Sequence, residues 1–151
     1  MKRLILILFS LAVVAVTAMA QPRAIGIRVG GNAELSYQHS MQGDNFIEAD
    51  FGMYLFSPTG MHLTGVYDFV FANIDNFNFY AGPGVSLGLV NHKVDDRIDT
   101  SFALGIAGQA GAEWQIGRIP LNVSLDWRPC WDFIGGRFMA GSVAIGARYR
   151  F

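Results

Sequence analysis

Apolar side chains recur at every second position through most of the chain between residues 23 and 151. In the last segment one face carries Met139, Gly141, Val143, Ile145, Ala147, Tyr149 and Phe151, while small or basic residues occupy the other. A β-strand produces this separation, because its successive side chains point to opposite faces, whereas a helix would scatter it. Turn sequences such as Gly30-Gly31-Asn32 and Asn73-Ile74-Asp75-Asn76 separate the runs. The pattern therefore predicts an all-β fold of eight antiparallel strands.

The composition indicates that these strands cross a membrane. Hydrophobic residues make up 52% of the chain and charged residues only 15%, against about 25% charged in ordinary soluble domains. After the first residues, no stretch approaches the roughly 20 apolar residues of a spanning helix. The polar face is rich in Gly, Ala and Ser with spaced charges, which suits the narrow lumen of an eight-stranded barrel. A soluble barrel would place the bulky aromatics inside, so we predict a closed up-and-down transmembrane barrel.

The first 20 residues have the layout of a secretory signal peptide. Lys2 and Arg3 precede an apolar run over residues 4–16, and Ala18 and Ala20 form a small-residue cleavage site before Gln21. The alternative is an uncleaved anchor, but the apolar run is short for a membrane span. We therefore divide the chain into a signal peptide, residues 1–20, and one barrel domain, residues 21–151.

Charge, cysteine and histidine usage exclude several kinds of partner. Without Lys2 and Arg3, nine basic residues face twelve acidic ones, a net charge of −3, and no basic tract is available for nucleic acid. Cys130 is the only cysteine, so no disulfide can form within the chain. His39, His62 and His92 lack the spacing of metal ligands. We expect neither a metal nor another cofactor.

Charged residues on the polar face are expected to meet inside the barrel. Burial of an isolated ion costs several kcal/mol, so enclosed charges must pair or form hydrogen bonds. A network of such pairs could simply fill the lumen, or it could serve as an ion path or an acid–base site. The predicted members are Arg28, Glu34, Glu48, Asp50, Asp68, Glu113, Asp126, Arg128, Arg148 and Arg150.

Three sequence segments carry a resemblance to a known family. The chain ends in Val143-Ala144-Ile145-Gly146-Ala147-Arg148-Tyr149-Arg150-Phe151, and Ala81-Gly82-Pro83-Gly84 and Asp126-Trp127-Arg128-Pro129 look like strand ends. With these features the chain resembles the small OmpX/OmpA-type outer-membrane β-barrel domains of Gram-negative bacteria. The resemblance implies export through the Sec pathway and insertion among outer-membrane lipids. It also implies that the assembly machinery reads Val143, Ile145, Tyr149 and Phe151.

The resemblance places both termini in the periplasm, and so it places residues 30–32, 57–60, 90–101 and 130–137 outside the cell. The longest of these loops, residues 91–100, carries Lys93, Asp95, Asp96, Arg97 and Asp99. It is either a solvated hairpin loop or a binding epitope. Because members of one fold differ in their roles, fold implies little chemistry.

We expect a non-enzymatic barrel with a structural or surface-interaction role in the envelope. One alternative is a small-solute channel of the porin kind, which would need more strands or an uncharged lumen. The other is an enzyme that modifies outer-membrane lipids. Such enzymes use Ser, His and acidic residues together, but Ser40 and the adjacent His39 would point to opposite faces of a strand.

The signal-peptide assignment makes a direct prediction. The membrane-embedded protein should begin at Gln21, because signal peptidase would cleave after Ala20. Intact-mass measurement or N-terminal sequencing of the protein purified from membranes checks this. Recovery of a chain that begins at Met1 would contradict the assignment.

Overall fold

The computed structural model describes residues 22–41, 43–55, 59–95, 97–141 and 143–151. The predicted signal peptide, with Ala18 and Ala20, lies outside the described residues, as do Gln21 and Asp96. Among the described residues, no helix is long and apolar enough to cross a membrane.

Ten β-strands account for most of the described chain. They are β1 (Pro22–Val29), β2 (Asn32–Ser40), β3 (Phe46–Tyr54), β4 (Thr59–Ile74), β5 (Phe77–Val94), β6 (Arg97–Ile116), β7 (Leu121–Trp127), β8 (Cys130–Asp132), β9 (Arg137–Met139) and β10 (Val143–Arg150).

Eight of the strands form a closed antiparallel ring. Each strand from β1 to β6 pairs with the next one along the chain, β7 pairs with β10, and β10 closes the ring on β1. At the closure Ile25 of β1 lies opposite Tyr149 of β10. The predicted eight-stranded up-and-down barrel is confirmed, including the division of its first two strands at Gly30-Gly31.

The two short strands β8 and β9 extend the barrel wall instead of adding new positions to the ring. Trp127 lies opposite Ala110 of β6, and three residues later Cys130 lies opposite Ala107, so the register continues unchanged. Between them the Gly108 amide donates to the Pro129 carbonyl at 2.9 Å. The prediction of a loop over residues 130–137 was therefore wrong. Backbone pairing with β6 and between β8 and β9 makes this segment a hairpin, and residues 133–136 form its turn.

Between Met139 and Val143 the chain has one residue more than the partner segment between Trp127 and Cys130. This extra residue places the side chains of β9 on the opposite face from the one that the alternation in β10 predicts. Met139 pairs with the inward-facing Cys130 and lines the same lumen cavity, whereas Val143 pairs with Trp127 and faces outward. Gly141 lies in the intervening bulge with φ of +72°. The predicted placement of Met139 on the same face as Val143 was wrong, because a bulge shifts the period-two pattern by one position.

The segment predicted as the longest loop is also largely strand. His92 and Lys93 pair with Asp99 and Ile98, so that β5 and β6 continue almost to the tip of their hairpin. Asp95 lies in the tip turn with φ of +46°. The charged residues of this segment interrupt the apolar alternation, but the backbone pairing between β5 and β6 continues through them, beyond the end of the apolar band.

The two faces of the wall have opposite chemistry. Outward positions hold the large apolar residues, such as Ile27, Leu35 and Val85, which are 56–59% exposed. The fully buried side chains are mostly polar or charged, and Arg148 is the largest of them. This is the reverse of a soluble domain, in which charged residues are almost never fully buried.

Gly141 offers a test of the bulge, with Gly43 as a matched control. Both have a positive φ, of +72° and +73°, so Ala at either position should cost about 1–2 kcal/mol of backbone strain. At Gly141 the new Cβ would also lie 2.6 Å from the Arg128 carbonyl carbon, whereas at Gly43 it meets nothing within 4 Å. We expect Gly141→Ala to destabilise the barrel by about 1–3 kcal/mol more than Gly43→Ala, measured by urea unfolding in lipid vesicles. Equal losses would contradict the bulge geometry.

Candidate functional site: the barrel lumen

The alternating strands direct a set of charged side chains into the lumen. Nine of the ten residues predicted to lie there are buried at inward positions, and they come from seven of the ring strands or their direct continuations. They are Arg28, Glu34, Glu48, Asp50, Asp68, Glu113, Asp126, Arg128 and Arg148.

Near the end of the lumen away from the chain termini, Arg28 joins two carboxylates. Its Nη1 donates to Glu34 at 2.6 Å, and its guanidinium also pairs with Asp126. The other oxygen of Glu34 lies 2.7 Å from Nε2 of His62. The Tyr54 ring covers this histidine, with 4.8 Å between ring centroids. Glu34 is therefore held from two sides.

Arg128, in the continuation of β7, connects several strands across the lumen. Its Nη2 contacts Glu48 at 2.8 Å and pairs with Asp50, while Nε donates to Oε1 of Gln109 at 2.6 Å. The Gln109 amide donates in turn to Asp68 at 3.2 Å. Because its partners come from β3 and β6, the guanidinium bridges opposite sides of the wall, and Gln109 extends the connection to β4.

Arg148 fills the middle of the lumen. Its Nη2 lies 3.0 Å from Glu48, while Nε and Nη1 donate to the hydroxyls of Ser36 and Ser124 at 2.8 and 2.7 Å. The side chain is fully buried. The small serines on β2 and β7 leave the space that this long side chain occupies.

The end of the lumen nearest the termini has its own cluster. Arg23 donates to Glu113 at 2.6 Å and to Gln38 at 3.1 Å, and Asn122 donates to Glu113 at 2.9 Å. The Arg23 guanidinium also lies 4.1 Å from the centroid of the buried Phe46 ring. Such a contact is favourable when the cation is shielded from water.

Sequence reasoning missed Arg23 because the alternation assigns it to the outward face. The register of β1 against β2 shifts between Pro22 and Ala24, and this irregularity accompanies its inward turn. The predicted network contained only charged residues. It therefore omitted Gln38, Gln109 and Asn122, although all three lie on the predicted polar face. Their positions in the pattern were sufficient to find them.

The predicted placement of Arg150 among the lumen ion pairs was wrong. Its guanidinium donates to the Gln115 side chain at 3.0 Å and to the carbonyls of Ile116 and Ile119, each at 3.3 Å. It is the last residue of β10, beside the turn between β6 and β7. There the side chain can reach backbone carbonyls at the rim, so it closes the edge of the barrel instead of crossing its interior.

The lumen is acidic overall but its acids have partners. Six carboxylates face four guanidinium groups, and each carboxylate contacts at least one arginine, glutamine or asparagine donor. Among the described residues, no group of three or more His, Cys, Asp or Glu side chains could hold a metal ion. The arrangement is that of a cross-linked polar core.

A cavity of about 240 Å³ lies above this core. Its walls include Tyr54, Ser86, Cys130 and Met139, and its lining also includes Arg28, Glu34 and Arg128. These three charged residues join one another by ion pairs, so the cavity ends at the network.

The remaining candidate residues lie outside the lumen core. His39 contacts the Tyr37 hydroxyl at 3.2 Å, and His92 is exposed on the β5–β6 hairpin. The loop residues Lys93, Asp95, Arg97 and Asp99 are exposed near its tip. The terminal residues Val143, Ile145, Tyr149 and Phe151 are 54–60% exposed, and the last two rings stack at 6.3 Å.

Comparison with solved structures identifies the fold. The N-terminal β-barrel domain of Pseudomonas aeruginosa OprF matches with a TM-score of 0.66 and 13% identity, covering 87% of this chain and 96% of that domain. Neisserial surface protein A, NspA, matches with a TM-score of 0.59 and 14% identity, covering 86% and 94%. The chain has the fold of an eight-stranded outer-membrane β-barrel. No protein-family model and no curated protein sequence matches it.

Arg148 and Arg150 form a matched pair for testing the core. Replacing Arg148 with Met leaves Glu48 short of a partner in a buried site, which should cost about 3–5 kcal/mol. Arg150→Met should cost about 1 kcal/mol or less, because water can replace its bonds at the rim. Urea unfolding in vesicles measures both. Similar losses for the two variants would mean that the lumen pairs do not stabilise the barrel.

Proposed function

We propose that this chain is an integral outer-membrane protein with a closed lumen and no enzymatic activity, and that it acts through its outer surface. The observation that carries this proposal is the edge of β6 over residues 97–103, where the strand pairs with β5 on one side only. A purely structural role in the envelope is compatible with the same fold but leaves that edge without a purpose.

The outward apolar band supports residence in a membrane. On β5 its first and last large residues are Phe77 and Leu89, twelve positions apart. At about 3.3 Å per residue and a tilt near 45°, this distance spans about 28 Å across the membrane. A bilayer has a hydrocarbon core of about 30 Å. The fold shared with OprF and NspA makes the outer membrane the proposed location.

The filled lumen argues against the channel alternative. A solute passing from the outer cavity would have to separate Arg28, Arg128 and their carboxylate partners, which are buried. Separation of buried ion pairs is costly because water does not reach the parted charges. An eight-stranded barrel has no interior space beyond these side chains except at its ends.

The enzyme alternative has one feature in its favour and two against it. Glu34 and His62 form a carboxylate–imidazole pair, which can orient a general base. Within the described residues, however, the buried Nδ1 of His62 has no hydrogen-bond partner. The nearby hydroxyls of Thr64 and Ser86 bond to each other at 2.9 Å instead. No nucleophile is thus activated by this histidine, and we propose a non-enzymatic protein.

The upper part of β6 is an open strand edge. Among the residues that the structure describes, 97–103 pair with β5 alone, while β8 reaches only as far as Gly105 and the Phe133 amide donates to Leu104. Seven residues correspond to about 23 Å of strand. Unpaired backbone groups on such an edge bind extended segments of other chains by strand addition.

Hydrogen bonds to neighbouring segments show which residues of β6 direct their backbone groups to the open edge. Leu104 accepts from Phe133 and Gly108 donates to Pro129 on that side, and residues two apart in a strand direct their backbone groups alike. Ile98, Thr100 and Phe102 therefore direct their amides and carbonyls to the open edge. A partner strand would pair with these residues.

The test removes one edge amide without disturbing β5. Thr100→Pro eliminates a donor on the open side, which an edge strand tolerates, while Thr100→Val keeps the amide and removes only the hydroxyl that bonds Asn91. We expect cells that express the Pro variant to lose adhesion to surfaces coated with serum proteins, down to the level of cells without the gene. The Val variant should adhere like the unmodified protein. The heat-modifiable folded band should be unchanged in both.

Two results would reject the proposed function. Undiminished adhesion of the Thr100→Pro strain, or adhesion that never depends on the gene, would remove the surface role. Stable conductance of the refolded protein in planar bilayers, at the level of general porins, would favour the channel instead.

Export through the Sec pathway and recognition by the outer-membrane assembly machinery also form part of the proposal. Val143, Ile145, Tyr149 and Phe151 face outward in one row at the end of the chain, where an assembly factor could contact them together.

Deletion of Phe151 tests this recognition role. As one terminal side chain it should stabilise the finished barrel by no more than about 1.5–3 kcal/mol. We expect refolding into detergent to survive the deletion, whereas the folded fraction in cell membranes falls sharply. If both quantities fall equally, or if cellular assembly is unchanged, Phe151 is not an assembly signal.

A further inference from the structure

The membrane-facing wall contains a notch that the lumen network and the open edge do not explain. Its floor is a cross-strand row in which Pro83 of β5 lies opposite Gly108 of β6, and Gly108 bonds to the Pro129 carbonyl between β7 and β8. These residues line a cavity of about 510 Å³ on the outside of the barrel.

An aromatic shelf forms one wall of the notch. Trp131 and Phe138 pair across β8 and β9, with ring centroids 6.2 Å apart, and Phe133 follows at the turn. All three also line the cavity and are about half exposed. Ile106, opposite Trp131, continues the shelf onto β6.

The floor has space that a larger side chain could fill. A Cβ placed on Gly108 would meet only the Pro129 ring, at 3.9 Å. The neighbouring outward residues on the next row, Ala81 and Ala110, are also small. The notch is therefore a concave site bounded on one side by aromatic side chains.

The depth of the notch determines what can enter it. Pro83 lies midway between Phe77 and Leu89 on β5, and Gly108 lies midway between Phe102 and Trp114 on β6. If the outward apolar band spans the bilayer as proposed above, the notch opens at the middle of the hydrocarbon layer. Neither water nor a lipid headgroup is found at that depth.

We propose that this notch is a binding site for one acyl chain of a membrane lipid, held against Gly108 beneath Trp131 and Phe138. The inference rests on the proposed membrane location. A flexible chain can follow the narrow floor and fill space that would otherwise lack packing contacts. A second barrel is convex, and the shelf that includes Phe133 would hold its wall away from the floor.

The experiment uses the refolded mature protein with Trp114→Phe, so that Trp127 and Trp131 beside the notch are its remaining tryptophans. In detergent micelles it is titrated with a phosphatidylcholine that carries a dibrominated stearoyl chain, and tryptophan emission is recorded. We expect quenching that saturates at one lipid per barrel. Gly108→Leu, which fills the floor, should abolish the saturable component.

Gly65→Leu is the matched control. Gly65 lies at an outward position of β4, and its Cβ would meet nothing within 4 Å, so a larger side chain fits there as it does at Gly108, but Gly65 lies outside the notch. This variant should retain saturable quenching. Quenching that rises without saturation, or equally in all three proteins, would show bulk lipid contact only and overturn the proposal. Sedimentation that shows a dimer dissociated by Gly108→Leu would assign the notch to a second copy and overturn it as well.

A parallel measurement separates this proposal from the proposed function. In vesicles made of the brominated lipid, both tryptophans should be quenched whenever the barrel spans the bilayer. Absence of quenching there would reject the membrane location itself. Quenching in vesicles without a saturable step in micelles would reject only the acyl-chain site.

Discussion

Closure of the backbone ladder is the constraint on which the other features depend. A strand that borders hydrocarbon must satisfy its amides and carbonyls within the protein, because no water is available to replace a missing bond. The pairing of β1 with β10 meets this requirement by removing both edges of the sheet. Closure at eight strands also fixes a narrow interior. Apolar residues are then directed outward, and the polar residues of every strand share one small volume.

The consequences of that shared volume are seen in the lumen. Because Glu48, Asp50 and Asp68 come from β3 and β4 and cannot reach bulk water, they require donors from across the barrel. Arg128, in the continuation of β7, and Arg148 of β10 supply donors to Glu48 and Asp50, and Gln109 of β6 supplies one to Asp68. The same side chains that satisfy the buried acids also obstruct the path of a solute. The stability of the wall and the closure of the lumen are thus results of one set of contacts.

The alternation in the sequence was sufficient to predict the strand number, the inward and outward faces and most of the lumen network. It failed where the backbone departs from a period of two. Met139 and Arg23 both lie beside register shifts, which no side-chain pattern records. Arg150 keeps the expected period, but it lies at the rim, where backbone carbonyls compete with the lumen acids for its guanidinium. The extension of β5 and β6 escaped prediction because backbone pairing continues through charged residues as well as through apolar ones, beyond the end of the apolar band.

β6 contributes to two different surfaces because it is longer than the segments β7 and β8 that pair with one of its edges. Where β7 and β8 accompany it, its outward side chains form part of the apolar outer wall, and Gly108 leaves a recess there. Above Phe102, which the band proposed to span the bilayer does not pass, the neighbouring hairpin has ended, and closed pairing is no longer required there if water solvates the backbone. An open edge at that height carries no penalty from lipid. Arg97 and Asp99 add charge beside it, which disfavours unspecific strand pairing. A partner of the kind proposed would therefore have to match both the open amides and the charges that flank them.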